Sequence, residues 1–178
     1  MAEQVETVII GAGQAGLATS YRLSQQGREH VVLERAERAG HVWRDERWDS
    51  FTLVTPNWTV QMPGAEYKGD QPGAFMPRDE VVALLEGYPA RFRLPICFST
   101  PVTSVERSEP DALFAVRTTE SDWHARNVVV ATGYFQEPKI PAVASQLPAG
   151  IQQLASVTLF HQFHSLREKQ PLVWYFRF

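Results

Sequence analysis

A single cysteine, Cys97, stands in these 178 residues. It cannot form an intramolecular disulfide, a C-x-x-C redox pair or a cysteine-based metal site. Long apolar runs are missing too: no stretch approaches the roughly 20 residues a membrane-spanning helix needs. The start, MAEQVETVII, puts acidic residues before a short apolar run, where a secretory signal would need a positive start and a longer apolar core. The expected location is the cytoplasm. Excess positive charge is absent as well: the net charge is −3 and the pI about 6.0, which gives no basic face for a nucleic-acid partner. The five histidines show no ligand spacing. His161 and His164 are near each other without a third ligand, so no metal site is expected.

What is present is an ordinary globular composition, 44% hydrophobic and 21% charged, enough for one domain with its own core. Val5 to Ile10 is a β-branched run ending at glycine and reads as a buried strand. Residues 14 to 26 read as a helix, with Ala15, Leu17, Ala18, Tyr21 and Leu23 on its buried side and Gly27 as its stop. His30 to Leu33 reads as a second strand, completing a βαβ unit. Residues 40 to 73 are irregular, and Trp43, Trp48 and Trp58 favour an ordered, ligand-facing segment over disorder. Pro77 to Tyr88 reads as a helix, with Asp79 and Glu80 in its first turn and Val81, Leu84, Leu85 and Tyr88 on one face. Val102 to Glu106, Leu113 to Thr118 and Trp123 to Ala125 read as an antiparallel meander. Asn127 to Ala131 reads as a separate apolar strand before Thr132-Gly133. Residues 5 to 10, 30 to 34 and 127 to 132 should be parallel neighbours buried on both faces.

Gly11-Ala12-Gly13-Gln14-Ala15-Gly16 is a G-x-G-x-x-G string between a strand and a helix. The first glycine permits the tight turn, the second lets the backbone approach a pyrophosphate, and the third lets helix and strand pack closely. The helix start at Gln14 and Ala15 offers N–H groups and partial positive charge to phosphates. Glu34 lies twenty-three positions after Gly11, where a carboxylate accepts hydrogen bonds from an adenosine ribose and repels a 2′-phosphate. Arg35 reads as a solvated surface charge.

Taken in order, GAGQAG, LERAERAGHVW, RWDSFTLVTPNW, FMPRDEVVALLEGY and VVVATG resemble the flavin-containing monooxygenase group, including bacterial relatives of the plant indole-pyruvate monooxygenases. The resemblance covers residues 5 to about 153. It implies an α/β, Rossmann-like FAD-binding domain: a doubly wound parallel sheet with a small β-meander, incomplete at its C-terminus. It places Gly11, Gly13 and Gly16 on the FAD pyrophosphate and Glu34 on the FAD ribose. Trp43 and Arg44 match the segment beside the pyrophosphate and ribityl chain, and Thr132 and Gly133 the second FAD-contacting turn. Family members often carry two glycines before the x-Trp; the second is His41 here.

The segment from Arg47 to Pro63 would lie near the flavin ring. Arg47, Thr55 and Asn57 are its polar candidates for catalysis, with plain loop hydrogen bonding as the equal alternative. Trp48 and Trp58 read as core or loop anchors. The family's activity on small-molecule substrates uses NADPH to reduce the flavin and then O₂, yet no second G-x-G-x-x-G follows Gly16. Residues 1 to 140 therefore read as the front of an FAD domain, and 141 to 154 as a connection toward an NADPH domain. The tail from 155 to 178 departs from the family; it reads as the product of a frameshift or as a segment covering the sheet edge. A non-catalytic nucleotide-binding fragment is the alternative function. A flavin disulfide reductase is disfavoured by the lone cysteine.

Overall fold

The computed structural model describes residues 3–107, 113–133, 140–155 and 172–175. In chain order these form β1 (Glu3–Ile10), α1 (Gln14–Gln25), β2 (His30–Leu33) and a short α2 (His41–Asp45). A small hairpin, β3 (Gln61–Met62) and β4 (Ala65–Glu66), precedes α3 (Arg78–Phe92) and β5 (Ile96–Cys97). Then come β6 (Val102–Arg107), β7 (Phe114–Thr118), β8 (Asp122–Val130), β9 (Gln152–Ala155) and β10 (Leu172–Tyr175).

The main sheet has the order β5-β2-β1-β8-β7-β6. β1 pairs in parallel with β2 on one side and β8 on the other, and α1 packs against β1 and β2. The expected parallel trio is therefore present, and with it the Rossmann-like arrangement. The strand make-up of the sheet differs from expectation in two details. Trp123 to Ala125 and Asn127 to Val130 are one continuous strand, because Arg126 carries the extended backbone straight through. The meander of β6, β7 and β8 is thus the antiparallel half of the main sheet. The second is β5, which was not expected: two residues carry no readable period. It is fixed by ladder bonds, Val32 N–H to Pro95 O at 2.8 Å and Glu34 N–H to Cys97 O at 2.9 Å.

The alternation of strand side chains splits the core in two. Ile9 and Val32 point to one face, where they meet Leu17 of α1 and Val81, Leu85 and Tyr88 of α3. Val8, Ile10, Val31 and Leu33 point to the other, where they meet Val116 of β7 and Trp123 and Ala125 of β8. Each such side chain, fully buried, contributes about 1.5–3 kcal/mol. Burial on both faces holds for β1 and β2 but fails at the end of β8, where Val130 is 69% exposed and belongs to neither cluster.

On α1 the fully buried residues are Gly16, Leu17 and Ser20, and Ala15 is exposed rather than buried. The contact between Gly16 and the Gly11 backbone sets this rotation, turning Ala15 outward. Ser20 is sealed in and its hydroxyl donates to His30 Nε2 at 2.8 Å, while His30 Nδ1 donates to Arg28 O at 2.9 Å. α3 runs past its expected end at Tyr88, through Pro89 to Phe92, and stops where Arg93 takes a left-handed φ of 52°. The extra turn is held by packing: the Phe92 ring lies 4.7 Å from those of Tyr21 and Tyr88, edge to face. The Tyr88 hydroxyl donates to Pro63 O at 2.5 Å.

The segment between α2 and α3 is ordered by backbone bonds across its own width, Leu53 N–H to Met76 O and Asn57 N–H to Ala74 O, both 2.8 Å. β9 and β10 pair in parallel in a separate two-stranded sheet. Of the aromatic tail, residues 156–171 and 176–178, with His161 and His164, lie outside the described residues. Among the described residues no helix is long and apolar enough to cross a membrane.

Candidate functional site

From β1 the chain crosses to β2 on one side of the sheet, and β8 later fills the other. Between strands that diverge in this way, a crevice opens at their carboxyl ends. Here it is a cleft of about 800 Å³, in the size range of small-molecule sites. The turn after β1, the end of β2, the α2 segment and the end of β8 all line it.

The three glycines of the G-x-G-x-x-G string stand in unlike surroundings. Gly11 has φ +104°, and a Cβ there would lie 2.6 Å from Ala131 O. A Cβ on Gly16 would lie 1.9 Å from Gly11 O. Both must be glycine for the chain to fold this way. Gly13 has φ −82° and ψ −173°, which any residue adopts, and a Cβ there would meet nothing within 4 Å among the described residues. That open space faces the cleft, at the N-terminus of α1. The first intrahelical bond of α1 runs from Leu17 N–H to Gly13 O at 2.9 Å. The N–H groups of the preceding turn have no intrahelical partner and carry the positive end of the helix dipole.

Glu34, at the end of β2, is held across this turn. Its Oε2 accepts from Ala12 N–H at 2.6 Å and its Oε1 from Ala36 N–H at 2.9 Å. Both oxygens keep lone pairs for further donors. Thr100 N–H donates to Glu34 O at 2.8 Å, which brings Thr100, Pro101 and Val102 into the lining. Thr132 and Gly133 line the opposite wall, after β8.

The remaining wall is the α2 segment. Gly40, at φ +74°, lets it sit against α3; a Cβ there would lie 3.2 Å from the Leu85 Cβ. Trp43 and Arg47 line the cleft. The Arg47 guanidinium lies 5.8 Å from the Trp43 ring centroid and 5.6 Å from that of Phe51, and burial pulls its pKa down. Arg44 lies outside the lining. Its Nη1 donates to Glu86 Oε1 on α3 and to Ala39 O at 3.3 Å, and its Nε to Asp45 Oδ2 at 3.1 Å. Burial opposes the charge on Asp45, but hydrogen bonds from His41, at 2.7 Å, and Arg44 together with their charges win and hold its carboxyl below the usual range.

Among the sequence-derived site residues, Gly11, Gly13, Gln14, Ala15, Glu34, Trp43, Arg47, Thr132 and Gly133 meet in one cleft. Gly16 lies beneath the turn. Asn57 is 5% exposed and sits away from the lining, its Nδ2 donating to Gln71 O at 3.0 Å while its Oδ1 has no partner among the described residues. Thr55 is exposed on the loop surface, outside the lining. Trp48 and Trp58 are 44% and 60% exposed, so neither is a core residue. Arg35 lines the cleft, 3.7 Å from Glu46. Sequence reasoning missed Arg35, His41 and Thr100 to Val102. The last group follows β5, whose two residues gave no signal to place what comes after.

Residues 8–173 match the family of pyridine nucleotide-disulphide oxidoreductases. The chain belongs to that family. The match runs past residue 153, where the resemblance read from the sequence ended. Among its relatives is an uncharacterized CzcO-like oxidoreductase of Geobacillus kaustophilus, 41% identical over 150 residues, or 84% of this chain and 42% of the relative. A probable indole-3-pyruvate monooxygenase of Arabidopsis thaliana is 33% identical over 140 residues, 76% of this chain and 33% of the relative. Among solved structures, a flavin-containing monooxygenase from Stenotrophomonas maltophilia superposes with a TM-score of 0.76 at 30% identity, covering 88% of this chain and 46% of that one. This family member thus resembles flavin monooxygenases, as its motifs imply, and spans less than half the length of these relatives. A bacillithiol disulfide reductase from Staphylococcus aureus, at 16% identity and a TM-score of 0.71, shares the fold alone.

Proposed function

We propose that this chain is the FAD-binding part of a flavin-dependent oxidoreductase whose full-length form is an NADPH-dependent monooxygenase acting on a small molecule in the cytoplasm. The observation that carries the reading is Gly13. The fold does not need a glycine there, and the space its missing side chain leaves open lies at the N-terminus of α1, inside the cleft. A ligand that brings phosphate against the backbone is the physical reason for such a residue.

The rest of the cleft fits the adenosine half of the same ligand. The α1 N–H groups take diphosphate charge, Glu34 accepts from the ribose hydroxyls, and the Thr100 to Val102 stretch borders the space beyond them. Trp43, Thr132 and Gly133 close the walls on the far side. Bound FAD supplies the redox chemistry, with NADPH as electron source and O₂ as oxidant. The monooxygenase part of the reading is supported by the relatives, among them a steroid monooxygenase bound to NADP, 25% identical with a TM-score of 0.69. The Glu34 carboxylate disfavours the 2′-phosphate of NADPH, so NADPH needs a second site. The chain by itself, loaded with FAD, should oxidise NADPH no faster than free flavin does.

Titration with FAD, ADP-ribose and 2′-phospho-ADP-ribose tests the proposal. FAD and ADP-ribose should saturate one site, and the 2′-phospho ligand should bind at least about tenfold more weakly, since like charges in contact cost several kcal/mol. No saturable FAD binding, or equal affinity for the 2′-phospho ligand, would overturn it.

A further inference from the structure

Among the described residues, Arg35, Arg44 and Arg47 lie at or beside the cleft, and they differ in what they face. Arg35 adjoins Glu34 and reaches Glu46 at 3.7 Å. Arg44, which the family resemblance sets beside the pyrophosphate, is directed instead at Glu86 of α3, the Ala39 carbonyl and Asp45. Arg47 lines the cleft as Arg35 does, next to Trp43, and its Nη1 donates to Glu46 O at 3.0 Å.

Among the described residues, the Arg47 guanidinium lies over the rings of Trp43, at 5.8 Å, and Phe51, at 5.6 Å. The backbone that carries it is fastened to the start of α3: Arg78 Nη1 donates to Arg47 O at 3.2 Å and Arg78 N–H to Phe51 O at 2.8 Å. Burial has taken part of its hydration, and an arginine still keeps its charge at any ordinary pH. A fixed cation with reduced hydration binds an anion at little cost in reorganisation.

With Arg35 paired to Glu46 at 3.7 Å, the charge balance of the cleft calls for a further cation. A dinucleotide diphosphate carries two negative charges, and the α1 N-terminus supplies the equivalent of only about half a positive one. Glu34 adds a negative charge at the ribose end. We propose that Arg47 is the cationic contact for the diphosphate of the bound dinucleotide, and that Arg44 is a tie between α2 and α3. This inference rests on the dinucleotide reading of the cleft.

The test uses the 178-residue chain and two ligands, ADP-ribose and adenosine, with the second measured by competition. Arg47→Met keeps an unbranched side chain against Trp43 and Phe51 and removes the charge. It should weaken ADP-ribose about ten- to hundredfold, the loss expected for a hydrogen bond to a charged group. Adenosine should stay within about twofold, below the scale of such a bond. The salt dependence of ADP-ribose binding should flatten. Arg44→Met should shift both ligands by one common factor and lower the melting temperature. Equal losses on both ligands in Arg47→Met would make Arg47 a packing residue and overturn the proposal, as would no loss at all. A phosphate-selective loss in Arg44→Met instead would also overturn it. If the unaltered chain bound neither ligand, the dinucleotide reading would fall first. If it bound both and Arg47→Met matched it, only the role of Arg47 would fall.

Discussion

The two walls of the cleft are built by different means. The wall of β1, α1 and β2 is set by backbone: Gly11 turns at φ +104°, and Gly16 lets α1 approach until its missing side chain would strike Gly11 O at 1.9 Å. The wall of α2 and the loop after it is set by side chains: the Arg44–Glu86 pair, the Arg78 bonds to Asp49 and Arg47 O, and the rings of Trp43, Trp48 and Phe51. Backbone constraints tolerate almost no change, and each side-chain tie on a half-exposed loop is worth little alone. The first wall should fail all at once and the second by degrees.

The sharpest break in that contrast is Gly16→Val. Its Cβ has no room short of moving backbone, so the chain should lose about 3 kcal/mol or more, above the usual range for overpacking. Denaturant melts of the variant should show a collapsed midpoint or no folded baseline. Ser20→Ala acts deeper in the same wall. It strands the buried His30 Nε2, and the expected loss is about 1–3 kcal/mol, read from the urea midpoint.

Tyr88 joins the loop to α3 and carries a pH signature. Burial raises its pKa from 10.0 to about 12. A folded-state pKa above the unfolded one means the contribution is fully present below pH 10 and is lost as pH rises toward 12. Tyr88→Phe should cost about 1 kcal/mol at neutral pH, the worth of its bond to Pro63 O. The variant should also lose less stability than the unaltered chain between pH 10 and 12. An identical alkaline decline in both would show that folding leaves the Tyr88 pKa where it is in the unfolded chain. The smallest effect belongs to Arg78→Met. Its partners Asp49 and Asp79 are 97% and 80% exposed, so thermal melts should show a loss of about 1 kcal/mol or less.

The same contrast governs what the sequence revealed. The first wall was legible because its signals are local: a β-branched run, glycines at fixed spacing, and a carboxylate at the end of the next strand. Even there Ala15 was misplaced, since the close contact of Gly16 with Gly11 decides the rotation of α1 and periodicity does not. The continuity of β8 was hidden because His124 and Arg126 interrupt its apolar pattern on an exposed face. The second wall was legible only as a place. That Arg44 is turned away from the cleft depends on Glu86, forty-two residues along the chain, and no short-range pattern encodes that pairing. Asn57 looked equally eligible for the cleft, and its bonds to Gln71 and Ala74 take it elsewhere.

The central claim is that Gly13 is a glycine for a ligand's sake, and Gly13→Val measures it most directly when ADP-ribose affinity and melting temperature are read on the same sample. The side chain has free space among the described residues and would occupy the place of the phosphate. The melting temperature should therefore stay within about 3 °C, the shift that goes with less than 1 kcal/mol in a domain of this size. ADP-ribose binding should fall by at least about a hundredfold, the loss of several charge-assisted bonds at once. Unchanged ADP-ribose affinity in a folded Gly13→Val chain would contradict the account, and the cleft would have to serve some other ligand.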